Sequence, residues 1–336
     1  MGGMSMLLKQ FSNLSRRQKL ARLRFIAQKA MDHYHIEVSD LRFYAEHSNA
    51  LFSVVAADGR KYLLKVTRPG DHSYEETLAA LEWLRFVNAA VQVHIIRVVP
   101  TRDGSVAVTV EAEGVPEPRF CSLFEWIPGR NLEARLTGVT ARMWGELSAS
   151  IHTVSRDYSS PHNNSLMRWD KVFYWDEEVL FSGAHDRFLP VERKAIYQQA
   201  VDWVQAAIDK QHSSSPPMLI HGDLHPENVK VNGKELWALD VEDLMWGHPL
   251  QDIAISLFYV RRRDDYPRLY DAFKDGYSTV AEWPVQDEAE LWAHFAGRQL
   301  MFANYLVKLS DFGEEETHAA LSNYEAAFAE SLERWT

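Results

Sequence analysis

Residues 221–252 read HGDLHPENVKVNGKELWALDVEDLMWGHPLQD, and the rest of the chain is understood from this stretch. Asp223 stands five positions before Asn228 with Pro226 between them, so a loop rather than a helix must present both side chains. Asn232-Gly233 is a two-residue turn signal between the short β-rich runs Val229–Val231 and Leu236–Leu239. Asp240 ends the second run, where its carboxylate and Asn228 are expected to converge on one cation. Phosphoryl transfer asks for this set: a carboxylate to accept a hydroxyl proton, and an amide with a second carboxylate to hold magnesium on a triphosphate. Zinc would need His or Cys ligands at other spacings, so the metal expected is magnesium.

Upstream, the pattern is one helix followed by a mostly antiparallel sheet. Ser15 and Gln18 form a capping-box start, and Leu20, Leu23, Ile26, Ala27 and Ala30 recur at helical spacing to about His33. Leu51–Ala57 and Lys61–Thr67 are strands joined across Asp58-Gly59. Ser73–Val87 is a helix with Glu75 and Glu76 in its first turn. A second hairpin, Ile95–Pro100 with Val106–Glu111, is expected to turn at Asp103-Gly104, and a further strand, Phe120–Trp126, ends at Pro128-Gly129. Beyond that point helices are expected near 139–156, 190–210, 251–262, 265–278, 286–308 and 313–334, with a short strand at Met218–His221.

The segment HGDLHPEN resembles the catalytic loop of the aminoglycoside phosphotransferase and choline kinase family, and ALDVED with the later GHPLQDIA is similar to that family's metal-binding strand and following turn. The resemblance implies an α+β, bilobal, protein-kinase-like fold: residues 1–125 as a small nucleotide-binding lobe with an antiparallel sheet, and residues 126–336 as a larger, mainly helical catalytic and substrate lobe. It implies ATP and Mg2+ as cofactors, Asp223 as catalytic base, His221 as support for the loop, Asn228 and Asp240 as magnesium ligands, and Asp252 as a brace for the loop's backbone. In the first lobe it calls for a strand lysine on the phosphates and a helix glutamate to hold it. Lys65 is the only charge in the apolar strand YLLKV, and Glu76 is preferred over the adjacent Glu75 as its partner. The phosphate-covering loop falls at Glu46–Leu51 and has no glycine, so the resemblance assigns the cradling to backbone and small side chains around Ser48 and Asn49. Phe124-Glu125-Trp126-Ile127 is similar to the hinge, with the backbone of Glu125 and Ile127 on the adenine edge.

Gly222 stands where protein kinases place the arginine of His-Arg-Asp, and Asp240-Val241-Glu242 replaces Asp-Phe-Gly, so no phosphorylated activation loop can be read out. Glu242 is either a second magnesium ligand or an exposed acid, and His225 either packs the loop or meets substrate. The aromatic run Trp169–Asp176 is either core or a wall that stacks on a cationic substrate.

The chain has 336 residues and a formal net charge of −11. A nucleic-acid partner would need a basic surface, so none is expected. Cys121 is the single cysteine, which leaves no internal disulfide, and no run approaches the ~18 apolar residues of a membrane span, so a cytoplasmic protein is expected. Residues 1–130 carry 17 Lys+Arg against 14 Asp+Glu (+3), and residues 131–336 carry 19 against 33 (−14). That asymmetry favours a positively charged acceptor or is simply a solvated acidic surface. The resemblance implies three functions to weigh: transfer of the γ-phosphate to the hydroxyl of an aminoglycoside-, choline- or homoserine-like small molecule, serine/threonine protein phosphorylation of the stress-response type, or a silent ATP-binding scaffold. The scaffold has no need of Asp223, Asn228 and Asp240 together.

Overall fold

The structure is a computed structural model that describes residues 11–46, 48–70, 72–90, 93–159, 165–309 and 313–333. The chain forms two compact units. The first comprises Met1–Val91, Ile95–Pro128 and Ser159–Ser165; the second comprises Gln92–His94, Gly129–Tyr158 and Leu166–Thr336.

In the first unit, helix α1 (Arg16–Met31) begins with a reciprocal capping box between Ser15 and Gln18. Its buried stripe, Leu23, Ile26, Ala27, Ala30 and Met31, packs on one face of a six-stranded antiparallel sheet. The strands are β1 (Val38–Glu46), β2 (Ala50–Ala56), β3 (Lys61–Val66), β4 (Val98–Val99), β5 (Val108–Val110) and β6 (Arg119–Glu125). Alternation along β2 and β3 assigns Phe52, Val54, Tyr62, Leu64 and Val66 to the face under α1. Leu51, Leu63 and Lys65 therefore lie on the opposite face. The sequence reading gives no bounds for β1, which pairs with β2 through two register shifts. Helix α2 (Tyr74–Asn88) starts at Ser73 and buries Ala80, Leu81, Trp83, Leu84 and Val87.

The expected second hairpin differs from what forms. Its turn is present, since the Gly104 amide donates to the Thr101 carbonyl at 3.0 Å and the Thr101 amide to Ser105 at 2.9 Å. The two arms, however, pair with successive stretches of β6, β4 at Phe124 and Leu123 and β5 at Cys121 to Arg119, rather than with each other. A ladder along β6 satisfies both arms' backbone groups, whereas turn residues alone report only that the chain reverses.

The second unit is helical around two small sheets. Its elements are β7 (Arg130–Asn131), α3 (Gly138–Ser155), α4 (Val191–Ser214), β8 (Met218–Ile220), β9 (Val229–Asn232), β10 (Glu235–Ala238), β11 (Met245–Gly247), α5 (Pro249–Phe258), α6 (Tyr266–Ser278), α7 (Glu288–Leu309) and α8 (Glu314–Glu333). Strands run β10-β9-β7 in one sheet and β11-β8 in the other. The main core gathers Trp169, Tyr174, Phe188, Tyr197, Trp203, Ile220, Met245, Ile255, Leu300 and Phe328. Helices α3 and α6 cross closely: a Cβ on Gly276 would lie 1.8 Å from the Arg142 carbonyl oxygen. That approach brings His152 of α3 to Tyr277 of α6, Nδ1 to hydroxyl at 2.9 Å.

Candidate active site

The loop between β8 and β9 is built from backbone outward. Gly222 has φ +82°, and a Cβ there would fall 2.0 Å from the Asp243 carbonyl oxygen, so glycine is required both by conformation and by space. The position that protein kinases give to arginine cannot take a side chain here. Asp252, fully buried on α5, accepts the Gly222 amide on Oδ1 at 2.9 Å and the His221 amide on Oδ2 at 3.1 Å. His152 Nε2 reaches the same Oδ2 at 2.9 Å. Burial pushes the Asp252 carboxyl up, yet His152, His221 and the Gly222 amide outweigh it and hold it below the usual carboxylate range. Asp252 is thus the brace that the sequence implied, and His152 is a partner that the sequence did not reveal.

His221 is buried and closes the loop. Its Nε2 donates to the Leu239 carbonyl at 3.0 Å, and its Nδ1 accepts the Asp223 amide at 3.3 Å. A short 3-10 turn, Pro226–Asn228, follows with proline at its first position, and His225 Nδ1 accepts the Glu227 amide at 3.2 Å. Asn228 is locked by its backbone to His225 and Leu239. Its side-chain amide donates to the Asp223 carbonyl at 2.9 Å and to Asp223 Oδ2 at 3.1 Å.

The carboxylate of Asp223 meets a guanidinium and an imidazole. Arg298 of α7 donates from Nη2 to Oδ1 at 2.9 Å, and His225 Nε2 lies 3.4 Å from Oδ2. Burial raises the Asp223 carboxyl, but the hydrogen bond with His225 and the Arg298 guanidinium outweigh it and hold it below its ordinary value, so it is ionised at neutral pH. Arg298 is 6% exposed, shares Nη2 with the Tyr259 hydroxyl at 3.0 Å, and sits over Phe302 at 5.1 Å, Trp175 at 5.8 Å and Tyr259 at 5.9 Å. His225 packs on Tyr259, ring centroids 4.5 Å apart. The sequence reading missed Arg298. The signal that singled out Lys65 applies to it equally, because Arg298 is the only charge between Phe295 and Val307.

The aromatic run divides between its two readings: Trp169, Val172 and Tyr174 are core, whereas Trp175 is 44% exposed and faces Arg298.

Asp240 follows β10 at φ +51°, in the left-handed region, which turns the chain out of the strand. It is exposed, and its Oδ1 accepts the Glu242 amide at 3.4 Å. Asp243, absent from the sequence reading, has its carboxyl pushed up to about 8 by burial and by the charges of Asp223 and Asp240, with Arg298 opposing. Acids that crowd one another until one keeps its proton make a field that suits a divalent cation. Asn228 Oδ1 accepts no hydrogen bond among the described residues and is available as a neutral oxygen ligand. No three His, Cys, Asp or Glu side chains among the described residues can hold a metal by themselves. Magnesium bound through one or two carboxylates plus phosphate oxygens needs no such cage.

In the first unit, Lys65 pairs in register with Leu51 and with Ser122, and its Nζ lies 5.8 Å from the Phe124 ring. The buried Ser122 hydroxyl has no partner among the described residues. Glu76 is half-buried, and its Oε2 accepts the Ser73 amide at 2.6 Å as part of a capping box; Glu75 is exposed. Asn49 is buried and its side-chain oxygen accepts the Arg68 amide at 2.9 Å, so it ties the β1–β2 turn to the end of β3, while Ser48 is exposed. The Glu125 amide donates to the Arg97 carbonyl at 2.9 Å, so an adenine contact by Glu125 would run through its carbonyl, and Ile127 is buried.

Residues 40–292 match the profile of the phosphotransferase enzyme family, three quarters of the chain. The chain belongs to that family. It is an ATP-dependent phosphotransferase with hydroxyl groups as acceptors, and its antiparallel-sheet and helical units are those of the family's kinase-like fold. Solved structures share the fold at low identity. Amicoumacin kinase hAmiN, in complex with AMP-PNP, Ca2+ and Ami, superposes with a TM-score of 0.73 at 19% identity, over 94% of this chain and 96% of that one. The microcompartment-associated aminopropanol kinase gives 0.72 at 23%, over 91% and 95%. Spectinomycin phosphotransferase APH(9)-Ia, with ADP and spectinomycin, gives 0.62 at 15%, over 93% and 98%. No curated protein sequence matches the chain significantly. No helix of the described residues is long and apolar enough to cross a membrane.

Proposed function

We propose that the protein transfers the γ-phosphate of ATP to the hydroxyl of a small molecule. Asp223 accepts the hydroxyl proton, Asn228 and Asp240 hold magnesium, and Lys65 holds the phosphates with Glu76 beside it. The observation that carries this reading is one hydrogen-bonded loop: Asp252 fixes the backbone of His221 and Gly222, and Asn228 and Arg298 fix the two carboxylate oxygens of Asp223. A loop preorganised in this way lowers the barrier by positioning and charge rather than by covalent chemistry. Magnesium, when bound, neutralises the charge that develops on the phosphates.

The acceptor we infer is an amine-bearing alcohol. The −14 balance of residues 131–336 supports it by attracting cations, and so does the likeness to kinases whose names specify aminopropanol, amicoumacin and spectinomycin. Phosphate transfer is to be followed by mass spectrometry with Mg-ATP and a panel of 1-amino-2-propanol, spectinomycin, amicoumacin, choline, homoserine and a generic protein. Phosphorylation of an amino alcohol, with kcat/KM falling steeply as salt rises, supports the reading. Phosphorylation of the protein alone, or of none of the panel, refutes it.

A further inference from the structure

Among the described residues, the groups that hydrogen-bond or pair with Asp223 belong to its own loop except Arg298, which comes from a helix 75 positions away in sequence. Its location is fixed from behind. A Cβ on the preceding residue, Gly297, would lie 3.0 Å from Val204 Cγ1, so α7 is seated hard against α4 at this point. The guanidinium is nearly buried, and burying a cation is unfavourable unless it meets a counter-charge. Among the described residues Arg298 meets one through a single nitrogen: Nη2 serves both Asp223 Oδ1 and the Tyr259 hydroxyl, while Nε is buried with no acceptor. An arginine kept as a structural bridge would spend its five donors on several partners. Here three aromatic faces hold the charge and one nitrogen points at the carboxylate.

We infer that Arg298 is a positioning residue for phosphoryl transfer, clamping Oδ1 of Asp223 against the Asn228 clamp on Oδ2 so that the carboxylate presents one fixed orientation to the acceptor hydroxyl. The inference rests on the role proposed for Asp223. Two consequences follow. The guanidinium sets the direction of the half-buried carboxylate, and it fills the cage of Trp175, Tyr259 and Phe302, so an acceptor's ammonium group binds elsewhere than on these rings.

The test is a double-mutant cycle in the full chain with Arg298→Met, Arg298→Lys and Asp223→Asn, reading Tm together with Mg-ATP turnover on 1-amino-2-propanol and on water. Losing the clamp is expected to lower kcat on the order of 10²-fold, with KM for Mg-ATP within about twofold of the wild type, because misplacement of a reacting group acts on the chemical step. Arg298→Lys should recover part of the loss. In the Asp223→Asn background, Arg298→Met should change residual turnover by less than about threefold. Arg298→Met should also lower Tm by leaving a half-buried carboxylate without its guanidinium, and Asp223→Asn should restore most of that Tm, a readout that holds even where turnover is too slow to measure or where Arg298→Met alone fails to fold. Equal losses in both backgrounds, or a Tm that Asp223→Asn does not restore, would overturn the inference. Wild-type turnover in Asp223→Asn alone would instead refute the role of Asp223 itself.

Discussion

The Gly222 amide donates to Asp252 Oδ1 at 2.9 Å, and through that bond helix α5 sets the direction of the loop between β8 and β9. Asp252 also takes the His221 amide and His152, and every one of these donors is buried. Asp252→Asn would replace an acceptor oxygen by a donor facing donors. Removing one partner from a buried charged network costs about 3–5 kcal/mol, so Tm should fall by roughly 10 °C and turnover should drop even below the new Tm. Scanning calorimetry with assays at 20 °C checks both.

Gly222→Ala combines a φ of +82° with a 2.0 Å approach to backbone. The Asp243 carbonyl is not the end of a flexible side chain and cannot swing away, so the β8–β11 pair must shift. We expect a loss of at least about 2 kcal/mol and near-complete loss of turnover. Soluble protein with wild-type Tm and activity would show that the loop is not held as described.

Stability should fall in mild acid. Burial pushes His294 down to about 3 and His248 down to about 4, with nearby His248 adding to the effect on His294 and nearby His212 to that on His248. Both rings are neutral in the fold, so below the ordinary histidine value of ~6.5 the unfolded chain takes up protons that the fold refuses. The lost stability amounts to about 1.4 kcal/mol per pH unit for His294 as pH falls from 6.5 toward 3, and less for His248, which borders a surface cavity. His294→Leu, packed against Trp169, should flatten the dependence of Tm on pH between 6.5 and 4. An unchanged slope would refute a buried neutral His294.

Lys65→Met should leave Tm within about 2 °C, because Lys65 lies on the sheet face away from α1 and its core partners, yet lower turnover on the order of 10². Glu76→Gln keeps a residue able to close the capping box with Ser73 and so isolates the carboxylate's charge from its capping role. Losses that add fully in the double variant would uncouple the two residues and point to Glu75 as the partner.

Much of this was legible in the residues because it is local. Capping boxes, Asn232-Gly233, Pro226 and the alternation around Lys65 act within a few positions, and the helices from 138 onward follow from apolar spacing alone. What was not legible depends on partners far along the chain. His152 meets Asp252 across 100 positions, Arg298 meets Asp223 across 75, and the arms expected to pair as a hairpin found β6 instead. Glu76 shows a further limit: a glutamate at the third position of a helix satisfies capping and lysine-pairing patterns alike, so the sequence names the residue without separating the two roles.

The most direct test of the account is γ-phosphate transfer by Asp223→Asn, followed with labelled Mg-ATP at saturating acceptor alongside nucleotide binding by calorimetry. The amide preserves volume and can still bond Arg298 or Asn228, but it takes no proton. The account predicts Mg-ATP affinity within about threefold of wild type and turnover lower by 10² or more. Transfer at the wild-type rate by Asp223→Asn would contradict it.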